Sequence, residues 1–478
     1  MLSPLPSKRV SRLLTGVACA ALSVCAYAVD IVSPGEAIAT PRNVILIIGD
    51  GMDDQQITIA RNYLAGANGR LLLDEMPLRS TAQVVTMENK IGGKPVYVAD
   101  SANTATTMAT GVVTSRGRVS TTAGDNRPIL TIVEMAQAAG YKTGIVSTAS
   151  VTDATPAAFA THISFRLCEN PETMLDITYK DIFLGDCLDE RVSEGGPGSI
   201  AEQLANSGLD VILGGGSKHF AMAAEGGTTS VADIARHNGF QVASTRTELA
   251  AASLQQRLLG LFSPGTMPVR LRGENDRTAE APEPSLLHYV HRYLGEVTLP
   301  ALMRCEANPA FEDVPSLKEM TDKALAQLSH NNSIGFFLMI ESASIDKQAH
   351  ERKPCGSIGE LQQLNEALAS ALAFAEDYPD TLILVTADHS QAAQIIPNES
   401  LFSAYPIPVF TPGKLARITT PEGSVMAVNY ATNNFSYGEH TGANVPVFSN
   451  ATGVSIVPAF IAQRDIFEIS RAYLKLQP

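Results

Sequence analysis

The chain lacks several features that would define its class early. Charged residues make up only 18% of its 478 positions, and no long polar low-complexity tract interrupts them, so the sequence reads as globular and not disordered. No basic cluster stands out against a net charge of −14, so the footprint of nucleic-acid or anionic-membrane binding is missing. The acidity reads as a solubility feature, although bound metals and a single Arg can still make a local phosphate site. There is no G-x-S-x-G elbow, so a hydrolase triad has little support. Gly214–Lys218 lacks the Gly-Lys-Ser/Thr ending of a phosphate-binding P-loop and reads as a turn. No internal repeat is evident, and no stop-transfer helix follows the N-terminal segment, so no stable membrane anchor is expected.

That N-terminal segment has the grammar of a signal peptide. Lys8, Arg9 and Arg12 precede a mostly apolar run from Leu13 to Val24, and Ala26-Tyr27-Ala28 is an A-x-A cleavage site. The expected division is a leader at 1–28 and one α/β domain with loop insertions at 29–478, exported to the periplasm or secreted. Cys19 and Cys25 fall in the leader, leaving Cys168, Cys187, Cys305 and Cys355. An even count in an exported chain suggests disulfides. Pairing neighbours in sequence is the simplest arrangement. A zinc site of four thiolates is disfavoured because no C-x-x-C pair occurs.

Along the rest of the chain one pattern recurs: an apolar run, a polar turn, then a helix-like stretch. Asn43–Ile48, Gly144–Thr148, Val211–Leu213, Phe336–Ile340 and Thr381–Thr386 are the strand candidates, and Leu361–Glu376 has apolar residues at helical spacing. This alternation predicts a central, mostly parallel sheet with helices on both faces. Residues from Ser263 to Pro284 are rich in Pro, Gly and charge and read as an irregular excursion. His288 and His291 beyond it read as surface histidines.

The polar residues gather where the strand candidates end, which is where open α/β sheets bind ligands. Asp50, Asp153, Thr155, Glu341, Asp388 and His389 all stand there. Asp346 and His350 are four apart, so they can share one face of a helical turn. His440 is isolated in the glycine-flanked Gly438–Gly442 loop. Mixed Asp/His ligation suits zinc, whereas Asp50, Thr155 and Glu341 offer only oxygen and suit magnesium. Of nine histidines, three have ligand contexts; His162 and His219 are the least certain of the others. Ser101 precedes a run of small residues ending at Gly111. This places Ser101 at a helix N-terminus, as an anion-facing nucleophile or only as an N-cap.

Val44–Met52, Asp100-Ser101-Ala102, Thr152–Ala157, Glu341–His350, Thr386–His389 and Glu439–Gly442 together resemble the alkaline phosphatase family, from about Asn43 to the C-terminus. The resemblance implies an α/β alkaline phosphatase-like fold. It also implies metal-dependent hydrolysis of phosphate monoesters, with broad specificity and an alkaline optimum, through in-line attack by Ser101 and a phosphoserine intermediate. Asp346, His350 and His440 would hold one zinc, and Asp388, His389 and Asp50 a second. Asp50, Thr155 and Glu341 would hold one magnesium, whose waters Asp153 orients. Arg166 would clamp phosphate and Lys347 reach it through water. Cys168–Cys187 and Cys305–Cys355 would be the disulfides, and the enzyme a homodimer acting on small phosphate esters.

Three departures stand out. Asp53 replaces a small residue common after Gly-Asp-Gly-Met, putting an extra carboxylate near the metals or facing solvent. The Cys168–Cys187 loop is long, and residues 270–300 differ. A phosphodiesterase of the same metal superfamily is the nearest competing reading, disfavoured by Arg166 and the magnesium set. A sulfatase lacks support, because Pro and Arg do not follow Ser101. A non-catalytic binder would need no nucleophile.

Overall fold

The computed structural model describes residues 41–398, 404–405 and 411–477. The leader, with Cys19 and Cys25, lies outside the described residues. The strands of the main sheet are β1 (Arg42–Gly49), β2 (Leu78–Gln83), β3 (Lys142–Ser150), β4 (Val211–Gly215), β5 (Phe240–Ala243), β6 (Arg257–Leu261), β7 (Gly335–Ser342), β8 (Thr381–Ala387), β9 (Val445–Ser449) and β10 (Phe460–Ala462). Their spatial order is β10-β2-β9-β8-β1-β7-β3-β4-β6-β5. Every pairing is parallel except those of β9, which runs antiparallel to β8 and β2.

Each predicted strand is present and extends a residue or two beyond its apolar run. β1, β7 and β8 are buried along nearly their whole length, as continuous apolar runs in a parallel sheet must be. Two of the helix groups pack apart from each other. One contains Leu317–Ser329 and Pro354–Asp377; the other contains Ser101–Thr110, Ile132–Ala138 and Asp465–Tyr473. Sequence spacing predicts the helix Pro354–Asp377 only from Leu361, but it begins at Pro354, whose fixed φ suits a first helical position. Gly359 obscures the periodicity there. It lets the helix approach Leu271, whose backbone N would stand 2.8 Å from a Cβ at this position.

Register places the chemistry. Gly49 pairs with Ser342 on one side and Ala387 on the other. Glu341 pairs with Ser147. Asp50, Glu341 and Asp388 therefore emerge at one edge, the carboxyl ends of adjacent parallel strands.

Two local expectations need revision. Gly214 and Gly215 are not a turn but the end of β4. Gly216 has φ +97° and starts a short helix, Ser217–Phe220, so the glycine run, a turn signal, hid a strand end. The excursion after Ser263 holds short ladders: Leu271–Gly273 pairs with Cys305–Ala307, and Glu283–Pro284 with Val297–Thr298. His288 lies in a one-turn helix, while His291 follows it in extended backbone and is exposed. A separate four-stranded sheet contains Leu302–Met303, Lys414–Thr419, Val425–Tyr430 and Ala393–Ile396. Disulfides join Cys168 to Cys187 and Cys305 to Cys355. Among the described residues no helix is long and apolar enough to cross a membrane.

Candidate active site

Ser101 opens helix α1, Ser101–Thr110, whose residues are all buried. Asp100, not Ser101, is the N-cap; its carboxylate accepts from the Asn103 N–H at 3.1 Å. Gly111, at φ 75°, ends the helix. With the capping duty taken by its neighbour, the Ser101 hydroxyl is left at the positive end of the helix dipole. Its Oγ lies 3.2 Å from His389 Nε2.

Two carboxylate–imidazole groups flank it. Asp50, Asp388 and His389 form one, and Asp346, His350 and His440 the other; within each, the ligand atoms lie within 4.8 Å of one another. Asp346 and His350 share helix α2, Ser344–His350. Gly51 lets the groups approach. It has φ +67°, and a Cβ there would stand 3.1 Å from Asp346 Cβ. Its N–H also donates to Asp388 Oδ1 at 2.9 Å.

Hydrogen-bond chemistry shows that these groups suit cations. His350 Nδ1 is 2.6 Å from the Gly438 carbonyl, and His440 Nδ1 is 2.8 Å from the Ala99 carbonyl. A carbonyl only accepts, so both Nδ1 atoms carry protons. The two Nε2 atoms then face each other at 2.9 Å with lone pairs directed inward, a repulsive contact unless a proton or a metal ion stands between them. With no ion, the proton is the answer: burial opposes it, but Asp346 raises the His440 imidazole to about 9. Burial alone would raise Asp346, yet His350 and His440 hold it well below its ordinary range.

The second group and its surroundings are overcharged with carboxylates. Burial, then Asp388, Asp346 and Glu341, push Asp50 well above its ordinary value. Burial and the nearby Asp153 and Asp388 raise Glu341 to about 8, against the pull of its hydrogen bond from Ser147. Asp50 Oδ1 and Thr155 Oγ1 are buried without a hydrogen-bond partner; His389 Nε2 is 3.4 Å from the former. Buried polar atoms rarely stay unpaired, and orphaned oxygens among self-repelling carboxylates are suited to a hard cation. Thr155 lies in the helix Ala154–Ala158, capped by Asp153.

Arg166 and Lys347 bring positive charge to the same cavity. Arg166 donates to Asp153 Oδ1 at 2.8 Å and to Asp100 Oδ2 at 3.4 Å, and Lys347 donates to the other Asp153 oxygen. Burial opposes all three charges, but the ion pairs win, raising Arg166 and Lys347 and lowering Asp153. The cavity, about 410 Å³, is lined by Ser101, Asp153, Arg166, Lys347, His350 and His440.

Sequence reasoning left Asp53 open and missed Gln391. Asp53 does not face solvent. It caps the helix Asp54–Leu64, accepting from Gln55 and Gln56 N–H at 3.0 Å each, and its second oxygen accepts from Gln391 N–H at 3.2 Å. Burial raises its carboxyl to about 6. Gln391 in turn donates through its side chain to Asp346 Oδ1. An acidic residue followed by a polar helix start signals the cap; nothing local signals the contact with Gln391. His219 is buried between Glu169, 3.0 Å away, and Asn170, 2.8 Å away. His162 lies between Ser120 O and Glu134, each at 3.0 Å. Neither is in the two metal-type groups.

A family model described as alkaline phosphatase matches residues 41–436. The chain is 40% identical over 444 residues to an alkaline phosphatase of Escherichia fergusonii, covering 91% of this chain and 86% of that one. It is 41% identical over 419 residues to a streptomycin-6-phosphate phosphatase of Streptomyces griseus, covering 86% and 85%. Among solved structures, the alkaline phosphatase of Thermus thermophilus is similar in fold, with TM-score 0.63 at 21% identity and 92% of each chain covered. With the mostly parallel sheet and the two carboxylate–imidazole groups beside Ser101, these matches lead to one conclusion: the chain belongs to the alkaline phosphatase family and is a phosphatase.

Proposed function

We propose that the protein hydrolyses phosphate monoesters to alcohol and inorganic phosphate through a phosphoserine at Ser101. The observation that carries this reading is the position of Ser101 Oγ. It stands free of capping duty at a helix N-terminus, 3.2 Å from His389 and beside two ligand groups. Asp346, His350 and His440 would hold one zinc, Asp50, Asp388 and His389 a second, and Asp50, Thr155 and Glu341 one magnesium, with Asp153 ordering water around it. When bound, these cations supply a lowered pKa for the serine hydroxyl and charge compensation for the departing oxygen.

The chain's own groups do the rest. The helix N-terminus favours the anionic phosphoryl group over solvent. Arg166 is held by Asp153 and Asp100 with its planar fork in the cavity, where it can give two parallel hydrogen bonds to non-bridging oxygens. A monoester presents those oxygens free, whereas a diester blocks one, and this favours the monoesterase reading over the diesterase. Lys347, paired with Asp153, adds a second positive charge through water. Ser101 attacks in line, the alcohol leaves, and water then hydrolyses the phosphoserine. Broad specificity, an alkaline optimum, export through a leader at 1–28 ahead of one domain with loop insertions, and a homodimer complete the reading. The relative named for a single ester makes narrow specificity the outcome to test against.

The test is acid trapping of labelled enzyme after reaction with an aryl phosphate. Wild type should carry alkali-labile phosphate and Ser101→Ala none. A phosphoenzyme that survives in Ser101→Ala would move the nucleophile elsewhere. Wild type should also turn over an aryl monoester faster than an aryl diester.

A further inference from the structure

The cavity extends well beyond what a phosphoryl group needs. At about 410 Å³ it lies in the size range of sites that enclose whole small molecules. A second cavity of about 650 Å³ adjoins it, and the two share Thr266, Lys347 and Tyr437. Tyr437 is the aromatic side chain common to both.

Its placement is specific. One face of the Tyr437 ring stacks on the His350 imidazole, with centroids 4.8 Å apart and planes 22° from parallel. The residue is 48% exposed and lines both cavities, so the ring is not enclosed beyond that stack. The segment carrying it is pinned on both sides. Gly438 N–H donates to the His350 carbonyl at 2.8 Å, and the Gly438 carbonyl is 2.6 Å from His350 Nδ1. Arg352 donates to the Ser436 carbonyl at 3.0 Å and to Asn433 Oδ1 at 3.0 Å. An exposed tyrosine on a loop ordinarily samples several rotamers; here the backbone is fixed and one ring face is already packed. The ring is thus a preorganised apolar plane one stacking distance beyond a side chain of the reaction centre.

We propose that Tyr437 is a specificity-determining residue whose exposed ring stacks against a ring in the leaving group, so that esters with a planar ring close to the ester oxygen are preferred over alkyl esters of the same acidity. This inference rests on the monoesterase reading. The departing oxygen then lies in the cavity beside His350 and His440, and the atoms attached to it lie next to Tyr437. The reacting phosphoryl group does not touch the ring, so Tyr437 acts on binding of the alcohol part and not on the chemistry of Ser101.

The test compares kcat/KM for benzyl phosphate and ethyl phosphate, two primary esters whose leaving groups differ little in acidity, using the metal-loaded full enzyme. Wild type should prefer the benzyl ester by about 3- to 10-fold, the scale of one aromatic stacking contact. Tyr437→Leu should bring the ratio close to one. Tyr437→Phe should retain it, since the phenol oxygen plays no part. Competitive inhibition by inorganic phosphate, which has no ring, should be the same in all three proteins. A ratio unchanged in Tyr437→Leu overturns the inference. So does an equal loss on both esters together with weakened phosphate inhibition, which would make Tyr437 only a support for His350. If wild type hydrolyses neither ester, the monoesterase reading itself fails, and this inference with it.

Discussion

His350 and His440 face each other through Nε2 atoms 2.9 Å apart while each Nδ1 is committed to a backbone carbonyl. Each backbone contact fixes a tautomer, and the two tautomers together create a position that only a proton or a metal ion can fill. The metal-free protein is therefore a protonated substitute for the loaded one, and its stability should depend on pH accordingly.

The sign of that dependence is set by two groups. His440 is raised from 6.5 to about 9, and Glu341 from 4.5 to about 8. Both bind protons more tightly folded than unfolded, so their contribution is complete at low pH and is lost as pH rises through the folded values. His389, lowered by burial from 6.5 to about 4, acts in the opposite sense, but only below pH 6.5. Between pH 6.5 and 9 the chelated protein should lose melting temperature steadily, whereas protein loaded with zinc and magnesium should not. Calorimetry at both ends of the window, with and without chelator, checks this; parallel pH curves would refute it. Activity lost on chelation should return only when metal is added back.

Arg166→Lys keeps the charge but loses the fork. Inorganic phosphate should inhibit this variant about 10-fold more weakly, the scale of one charge-assisted hydrogen bond. Wild-type inhibition in the variant would remove Arg166 from phosphate binding.

Gln391 holds the Asp346 carboxylate and is itself held by Asp53. Outer partners of ligating carboxylates typically tune metal affinity by about 10- to 100-fold. Gln391→Ala should weaken zinc retention on that scale in chelator competition, with little change in fold by circular dichroism. Asp53→Ala should also destabilise the protein by about 1 kcal/mol through the lost helix cap, measured by urea unfolding.

The two disulfides should separate stability from activity. Cys305–Cys355 spans 50 residues and Cys168–Cys187 only 19, so removing the first should cost more stability, within about 2–4 kcal/mol in the chain-entropy picture. Cys168 stands two residues after Arg166, so replacing the second pair should cost more in phosphate inhibition than in melting temperature.

How much of this is legible in sequence depends on range. Continuous apolar runs identify β1, β7 and β8, because strands buried on both faces admit little else. The ligand types at their ends, and the four-residue spacing of Asp346 and His350, follow from local geometry. Ser101 reads locally as a cap, and only the structure shows that Asp100 takes that role. Glycines in the helix from Pro354 mask a helical start whose reason is close packing against Leu271.

The sequence by itself determined the class of sheet, the strand positions to within a residue or two and the kinds of ligand available, since each depends on neighbours a few residues apart. Tertiary structure decided which of those groups meet. His350 reaches His440 across 90 positions and Ser101 reaches His389 across 288, and Asp53 finds Gln391 and Tyr437 finds His350 in the same way. No local propensity encodes such contacts. They follow from the parallel register that brings β1, β7 and β8 to one edge, and from close backbone approaches such as that of Gly51 to Asp346.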